Sequence, residues 1–162
     1  MKYAADTSVS VSNSRQEIEN IIARYGATSF VSGWEGTRAV VQFEAHGRRI
    51  MFELTTPDRN DKRFTHHSRG ERTQEAALKE WEQECRRVWR SLLLVVKAKL
   101  EAVATGIASF EDEFLGYTII PDVDGRPTTV GKFMKPQVDA AYESGALPRG
   151  MMLALTAGEE TP

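Results

Sequence analysis

The sequence predicts an α+β fold: an N-terminal helix, a three-stranded antiparallel meander, one long central helix, and C-terminal short helices with a brief strand. Two patterns lead there. Between Thr73 and Gly106 the apolar residues Leu78, Trp81, Cys85, Val88, Leu92, Val96, Leu100 and Val103, continuing to Ile107, recur at steps of three and four. That is the period of a helix buried along one side, and at 1.5 Å per residue it would be roughly 50 Å long. Between residues 38 and 55 the pattern changes to alternation. Val41, Phe43 and Ala45 interleave with Gln42 and Glu44, and Ile50, Phe52 and Leu54 with Met51 and Glu53. Period two describes strands with one face on a core and one toward water.

In chain order, a polar start leads to Asn13 or Ser14 as a helix cap. Ser14-Arg15-Gln16-Glu17 has the capping-box pattern, and Ile18, Ile21, Ile22 and Tyr25 share a face that Gly26 ends. Strands are expected at Phe30–Trp34, Arg38–Ala45 and Arg49–Thr55, separated by Glu35-Gly36 and His46-Gly47. Their wet face would carry Gln42, Glu44, Arg49, Met51 and Glu53. Residues 57–72 hold five Lys/Arg, two His and a single apolar residue, Phe64. They are read as a long connection without its own structure, either functional or disordered. Thr73 caps the long helix, whose run Leu92–Val96 is apolar nearly all round and needs partners on more than one side. Beyond Gly106, Ser109 to Asp112 form a second capping box. Phe110, Phe114 and Leu115 would tuck that short helix under the long one. A strand at Tyr117–Ile120, a turn at Pro121–Gly125, and helical pieces from Thr129 to Met134 and Pro136 to Tyr142 complete a single domain over 1–148. Residues 149–162, with an apolar patch at Met151–Leu155, are expected to be a partly disordered tail.

A chain of 162 residues, 41% hydrophobic and 27% charged, has the composition of a soluble globular domain. No apolar run approaches the length needed to span a bilayer, and the first residues lack an apolar signal region. The single Cys85 cannot form an internal disulfide, fits a reducing cytoplasm, and falls on the core face of the long helix.

Net charge is −2, but residues 46–100 carry 13 Lys/Arg against 8 Asp/Glu, and the remainder 8 against 15. On a helical projection Lys79, Arg86, Arg90 and Lys97 fall within about 40° of one another, roughly 150° from the apolar stripe. The loop cations Lys62, Arg63, Arg69 and Arg72 feed into that ridge, with Phe64 and His66 interleaved. Flexible cations with an aromatic can follow a phosphate backbone and stack on bases. Lys62, Arg63, Phe64, Arg69, Arg72, Lys79, Arg86, Arg90 and Lys97 are therefore the candidate nucleic-acid-binding residues.

No P-loop, dinucleotide fingerprint, HExxH or GxSxG motif occurs, and no zinc spacing. His66 and His67 with Asp58 and Asp61 are read as solvent-exposed rather than metal-binding. Asp122 and Asp124 are read as turn formers rather than as calcium ligands. No cofactor, metal or catalytic constellation is expected, and the chain is read as non-enzymatic.

The stretch Arg86–Val103, with Gly106-Ile107 and Phe110–Phe114 behind it, together with Tyr3–Val9 and His46–Arg49, resembles a family of small uncharacterised proteins encoded by tailed phages and prophages. The likeness covers most of the chain to about Tyr142. It implies a phage gene product in the bacterial host cytoplasm and supplies no activity. The order helix, meander, long helix also resembles the β-β-β-α core of single-strand annealing proteins, as a fold-level analogy only. The leading expectation is an accessory protein that binds nucleic acid, single-stranded, in replication or recombination. One alternative is a counter-defence binder of a small anionic nucleotide or a host protein. Another is a structural or assembly protein forming a homo-oligomer through Trp81, Val88 and Leu92–Val96.

Overall fold

A computed structural model describes residues 7–121 and 124–146. The start Met1–Asp6, Asp122 and Val123 of the expected turn, the patch Met151–Leu155 and the expected tail 149–162 lie outside the described residues. The architecture is mixed α+β, in two compact units, Met1–Phe114 and Leu115–Pro162.

In the first unit, Ser10 caps α1 (Val11–Arg24), its hydroxyl accepting from the Asn13 N–H at 3.1 Å. The helix thus starts a turn earlier than the Asn13 or Ser14 cap expected from sequence. Ser14 becomes an interior residue, fully buried, with its hydroxyl unpaired and its backbone N–H donating to the Ser10 carbonyl. Ile18, Ile21 and Ile22 form the buried face.

The meander is β1 (Ser29–Glu35), β2 (Arg38–Ala45) and β3 (Arg48–Thr55), antiparallel in that order. The register sets Val41 opposite Phe52 and Phe43 opposite Ile50. The tight turn between β2 and β3 has positive φ at both central residues, His46 (51°) and Gly47 (69°), the twist that two-residue hairpins favour. Ala39, Val41, Phe43, Ala45, Ile50 and Phe52 are buried, as the alternation predicts. On the other face Arg49 is exposed and Gln42, Glu44 and Glu53 are half-buried, but Met51 is buried rather than wet. Its cross-strand neighbour Gln42 reaches over it, with Nε2 at 3.4 Å from the thioether sulfur.

Residues 57–72 are structured, contrary to the reading of a bare connection. Asp61 caps α2 (Lys62–Thr65), accepting from the Arg63 N–H at 2.9 Å. A small ribbon follows, β4 (His66–His67) with β5 (Gly70–Glu71). The Arg72 guanidinium then donates to the carbonyls of Arg63, Phe64 and His66 at 2.9, 3.0 and 2.5 Å. One side chain satisfies three carbonyls of a short segment that has few backbone partners of its own.

Thr73 caps α3 (Gln74–Ala104) as predicted, accepting from the Ala76 N–H at 3.3 Å. Its 31 residues span about 46 Å. Cys85, Trp89, Leu92, Leu93, Val96 and Leu100 are buried, whereas Val88 is only half-buried and Ile107 lies exposed beyond the helix end. The buried stripe thus passes through Trp89 instead of Val88. The cause is α1, which runs parallel along one flank of α3: Arg15 meets Trp89, Glu17 meets Arg90 and Tyr25 meets Glu101. Of the residues expected to form a self-pairing seam, Leu92, Leu93 and Val96 are buried inside the unit, Trp81, Val88 and Leu94 are half-buried, and Val95 is exposed.

Ser109 caps α4 (Phe110–Phe114), accepting from the Asp112 N–H at 3.1 Å. Phe110 and Phe114 stack at 4.6 Å, and Phe114 meets Phe43 and Phe52 edge-on at 5.9 and 6.4 Å. Phe114 is fully buried, worth about 2–3 kcal/mol of transfer free energy. It ties the sheet to the end of the helical layer.

The second unit holds a 3-10 turn (Leu115–Tyr117), the antiparallel pair β6 (Ile119–Pro121) and β7 (Pro127–Thr129), and α5 (Val130–Ser144). Leu115 is exposed rather than tucked under a helix. The two helical pieces expected on either side of Pro136 are one helix, capped by Thr129 and closed by Gly145 in the left-handed region. At Gly131 a Cβ would stand 2.7 Å from the Gly116 carbonyl oxygen, so only glycine lets this helix start against the 3-10 turn. Among the described residues no helix is long and apolar enough to cross a membrane.

Candidate functional site

The basic ridge of α3 is divided by what packs beside it. Lys79 and Lys97 are exposed. Arg86 and Arg90, expected to face solvent, keep only 25% and 28% of their side-chain surface. Arg90 donates to Glu17 Oε2 on α1 at 2.9 Å, and Arg86 spends Nε and Nη2 on Gln83 Oε1 at 3.1 and 2.8 Å. A single-helix projection could not reveal this, because Glu17 belongs to another element.

The loop residues divide similarly. Lys62 and Arg69 are exposed, without a side-chain partner among the described residues. Arg63 pairs with Asp61 at 3.2 Å and lies 4.6 Å over the Phe64 ring. Phe64 itself is 5% exposed, so it is a core residue and not a platform for stacking bases. Arg72 is the staple described above. Among the described residues no three His, Cys, Asp or Glu side chains gather as metal ligands. His66 contacts Thr65 Oγ1 through Nδ1 at 2.8 Å, and His67 Nδ1 accepts from the Arg69 N–H at 2.9 Å.

The structure instead concentrates chemistry where the sequence reading placed core. All three tryptophans of the chain, Trp34, Trp81 and Trp89, line one cleft of about 460 Å³. It lies between α3, the first turns of α1 and the meander, and Ser10, Ala39, Thr56 and Cys85 complete its walls. On α3 the lining residues Trp81, Cys85 and Trp89 are spaced by four, with Glu82 and Arg86 alongside, so one helical face forms a wall. Trp34 comes from β1, opposite Ala39 in the register, yet is 72% exposed. An indole so exposed at the rim of an apolar cleft leaves most of its ring surface accessible.

Two arginines line this cleft. The Arg15 guanidinium sits 5.8 Å from the Trp34 ring centre and 5.5 Å from that of Trp89, and donates to Ser32 Oγ at 2.5 and 3.2 Å. Its hydrogen-bond partner is neutral, so its charge is not cancelled. Arg86 hydrogen-bonds a neutral amide and also forms an ion pair with Glu82 Oε2 at 3.7 Å. Trp81 is held by its Nε1–H donating to the Pro57 carbonyl at 2.8 Å, and Arg59 lies 6.0 Å from its ring. Burial, then the charges of Glu84 and Glu82, push the Cys85 thiol up to about 11. At neutral pH it is a packed thiol and not a nucleophile.

A second cleft of about 450 Å³ adjoins Pro57 and is polar, with Thr37, Asp58, Asp61, Arg63 and Arg87 on its walls. Arg87 is held by Glu84 in a two-point pair, which raises its pKa further. A third, of about 290 Å³, lies between α1 and α3 beside Arg24 and Lys97. There Tyr25 donates to Glu101 at 2.9 Å, and this hydrogen bond raises the phenol pKa. The second has no aromatic side chain and the third has one, Tyr25, against the three indoles of the first cleft.

Arg15, Trp34, Arg59 and Trp89 were not singled out by sequence. The available signal was compositional: three tryptophans, one near the end of a strand and two on the long helix, with no motif to join them. No protein-family model, curated protein or solved structure matches this chain.

Proposed function

We propose that the protein binds a nucleotide in the tryptophan cleft, the base against the indoles and the phosphate toward Arg15 and Arg86. The observation that carries this reading is the convergence of all three tryptophans with two arginines whose hydrogen-bond partners are neutral. A cleft of about 460 Å³ is within the range of small-ligand sites and is mostly apolar, with few polar groups to orient what enters. Base–indole stacking supplies about 1–3 kcal/mol per base and an arginine supplies the anion contact. The resemblance to phage proteins supports a setting in the bacterial host, where a nucleotide binder can act as a counter-defence factor.

Titration of intrinsic tryptophan fluorescence with nucleoside 5′-monophosphates tests the reading directly. Saturable quenching is expected, lost or strongly weakened in Trp34→Ala. Absence of quenching at millimolar ligand overturns it.

A second reading, single-stranded nucleic acid in replication or recombination, is favoured by exposed cations near the same helix end. Lys62, Arg69 and Lys79 are exposed, without a side-chain partner among the described residues, and Arg59 lies over Trp81. A strand engaging several of them would lose affinity steeply with salt, whereas a single nucleotide loses little. Oligonucleotides of increasing length at two salt concentrations separate the two.

A further inference from the structure

The cleft contains a carboxylate, and its hydrogen-bonding capacity is unspent. Glu82 stands on the α3 wall between Trp81 and Arg86, with half of its side chain exposed. Its closest cation, Arg86 Nη1, is 3.7 Å from Oε2, beyond hydrogen-bond length, and the Arg86 Nε and Nη2 donors go to Gln83 instead. Among the described residues no side chain hydrogen-bonds to this carboxylate.

An ionised carboxylate only accepts hydrogen bonds, through two oxygens side by side. The Watson–Crick edges of the bases differ in what they offer it. Guanine presents two adjacent donors, N1–H and the N2 amine. Adenine and cytosine each place a ring-nitrogen lone pair next to their amine, which faces the second oxygen with like charge. Uracil has one N–H between two carbonyls. A purine also covers more of an indole face than a pyrimidine does.

We propose that the cleft selects guanine nucleotides, with the Glu82 carboxylate accepting from N1–H and the N2 amine while the ring lies against the indoles. The proposal rests on the nucleotide reading above and adds the base to it.

The test is fluorescence titration of the intact chain with the 5′-monophosphates of guanosine, inosine, adenosine, cytidine and uridine, on the parent and on Glu82→Gln. Guanosine monophosphate is expected to bind at least about tenfold more tightly than the adenosine, cytidine and uridine compounds, as charge-assisted hydrogen bonds require. Inosine monophosphate, which keeps N1–H and lacks the amine, should fall between. Glu82→Gln should abolish the preference of guanosine over adenosine monophosphate with the far-ultraviolet dichroism unchanged, because an amide offers one donor and one acceptor and suits the adenine edge at least as well. Equal binding of all five overturns guanine selection and leaves nucleotide binding standing. Guanine preference that survives Glu82→Gln overturns the role of Glu82. Binding of none overturns both.

Discussion

The turns of α3 around Leu93 and those around Cys85 belong to one continuous helix, packed along the same α1, and they end up chemically unlike. Around Leu93 the side chains are aliphatic, and Leu92, Leu93, Val96 and Leu100 pack to near-complete burial. Around Cys85 the wall is made of Trp81, Trp89 and the stems of Glu82 and Arg86, and a cleft of about 460 Å³ remains. The aliphatic side chains around Leu93 close to the density of a protein interior, whereas around Cys85 the exposed Trp34 and the half-buried Trp81 leave the space between the elements open. The same helix therefore supplies a core in its second half and a candidate site in its first. The apolar period is almost indifferent to the change.

The sharpest way to break that contrast is truncation in the packed half. Leu93→Ala should destabilise the protein by about 2–5 kcal/mol, read as a lower urea midpoint, because Leu93 is fully buried and leaves a cavity. A loss under about 1 kcal/mol would mean that the second half is as loosely packed as the first.

The boundary between the halves can be sharpened through Cys85. Its thiol is raised to about 11 from an ordinary value of 9.0, so its thiolate fraction at neutral pH is about a hundredfold below that of a free thiol. Native alkylation should be slower by at least that factor, should rise with pH toward 11, and should become fast in denaturant. Because the folded-state value is the higher one, this group favours the folded state fully below pH 9, and that contribution falls away between pH 9 and 11. Rapid labelling of native protein at neutral pH would place the thiol in solvent.

Trp34→Ala addresses the cleft itself. The ring is largely exposed, so unfolding midpoints should stay within about 0.5 kcal/mol of the parent. Nucleotide affinity should fall about tenfold if a base stacks there. A stability loss without an affinity loss would make Trp34 structural and remove the contrast.

The smallest expected effect concerns the ridge. Reversing Arg90 to Glu should cost no more than about 1 kcal/mol, since its pair with Glu17 is partly solvated. Glu17→Arg combined with Arg90→Glu should recover most of it. An uncoupled pair in this double-mutant cycle would mean that the salt bridge does not hold α1 on α3.

The residues that were legible in advance share a property: their structure is dictated by near neighbours in sequence. The meander register follows from alternation, the His46-Gly47 hairpin from turn chemistry, and the Thr73 and Ser109 caps from a hydroxyl beside a first helical turn. Misses occurred where two local solutions competed. Ser10 offered a hydroxyl one turn before Ser14, and Asp61 with Arg72 organised a segment whose composition alone reads as loop.

What the sequence determined by itself is therefore the set of elements and their apolar faces, since backbone hydrogen bonding and side-chain period are local. Which polar groups remain available was decided only when the elements packed. Glu17 takes Arg90, the carbonyls of residues 63–66 take Arg72, and the core takes Phe64. Meanwhile Trp34, Trp81, Trp89 and Arg15, drawn from a strand and two helices, converge on one cleft. Charge and aromatic content can be counted along a chain, but desolvation and pairing depend on three-dimensional neighbours, and those neighbours separate a site from a solvated face.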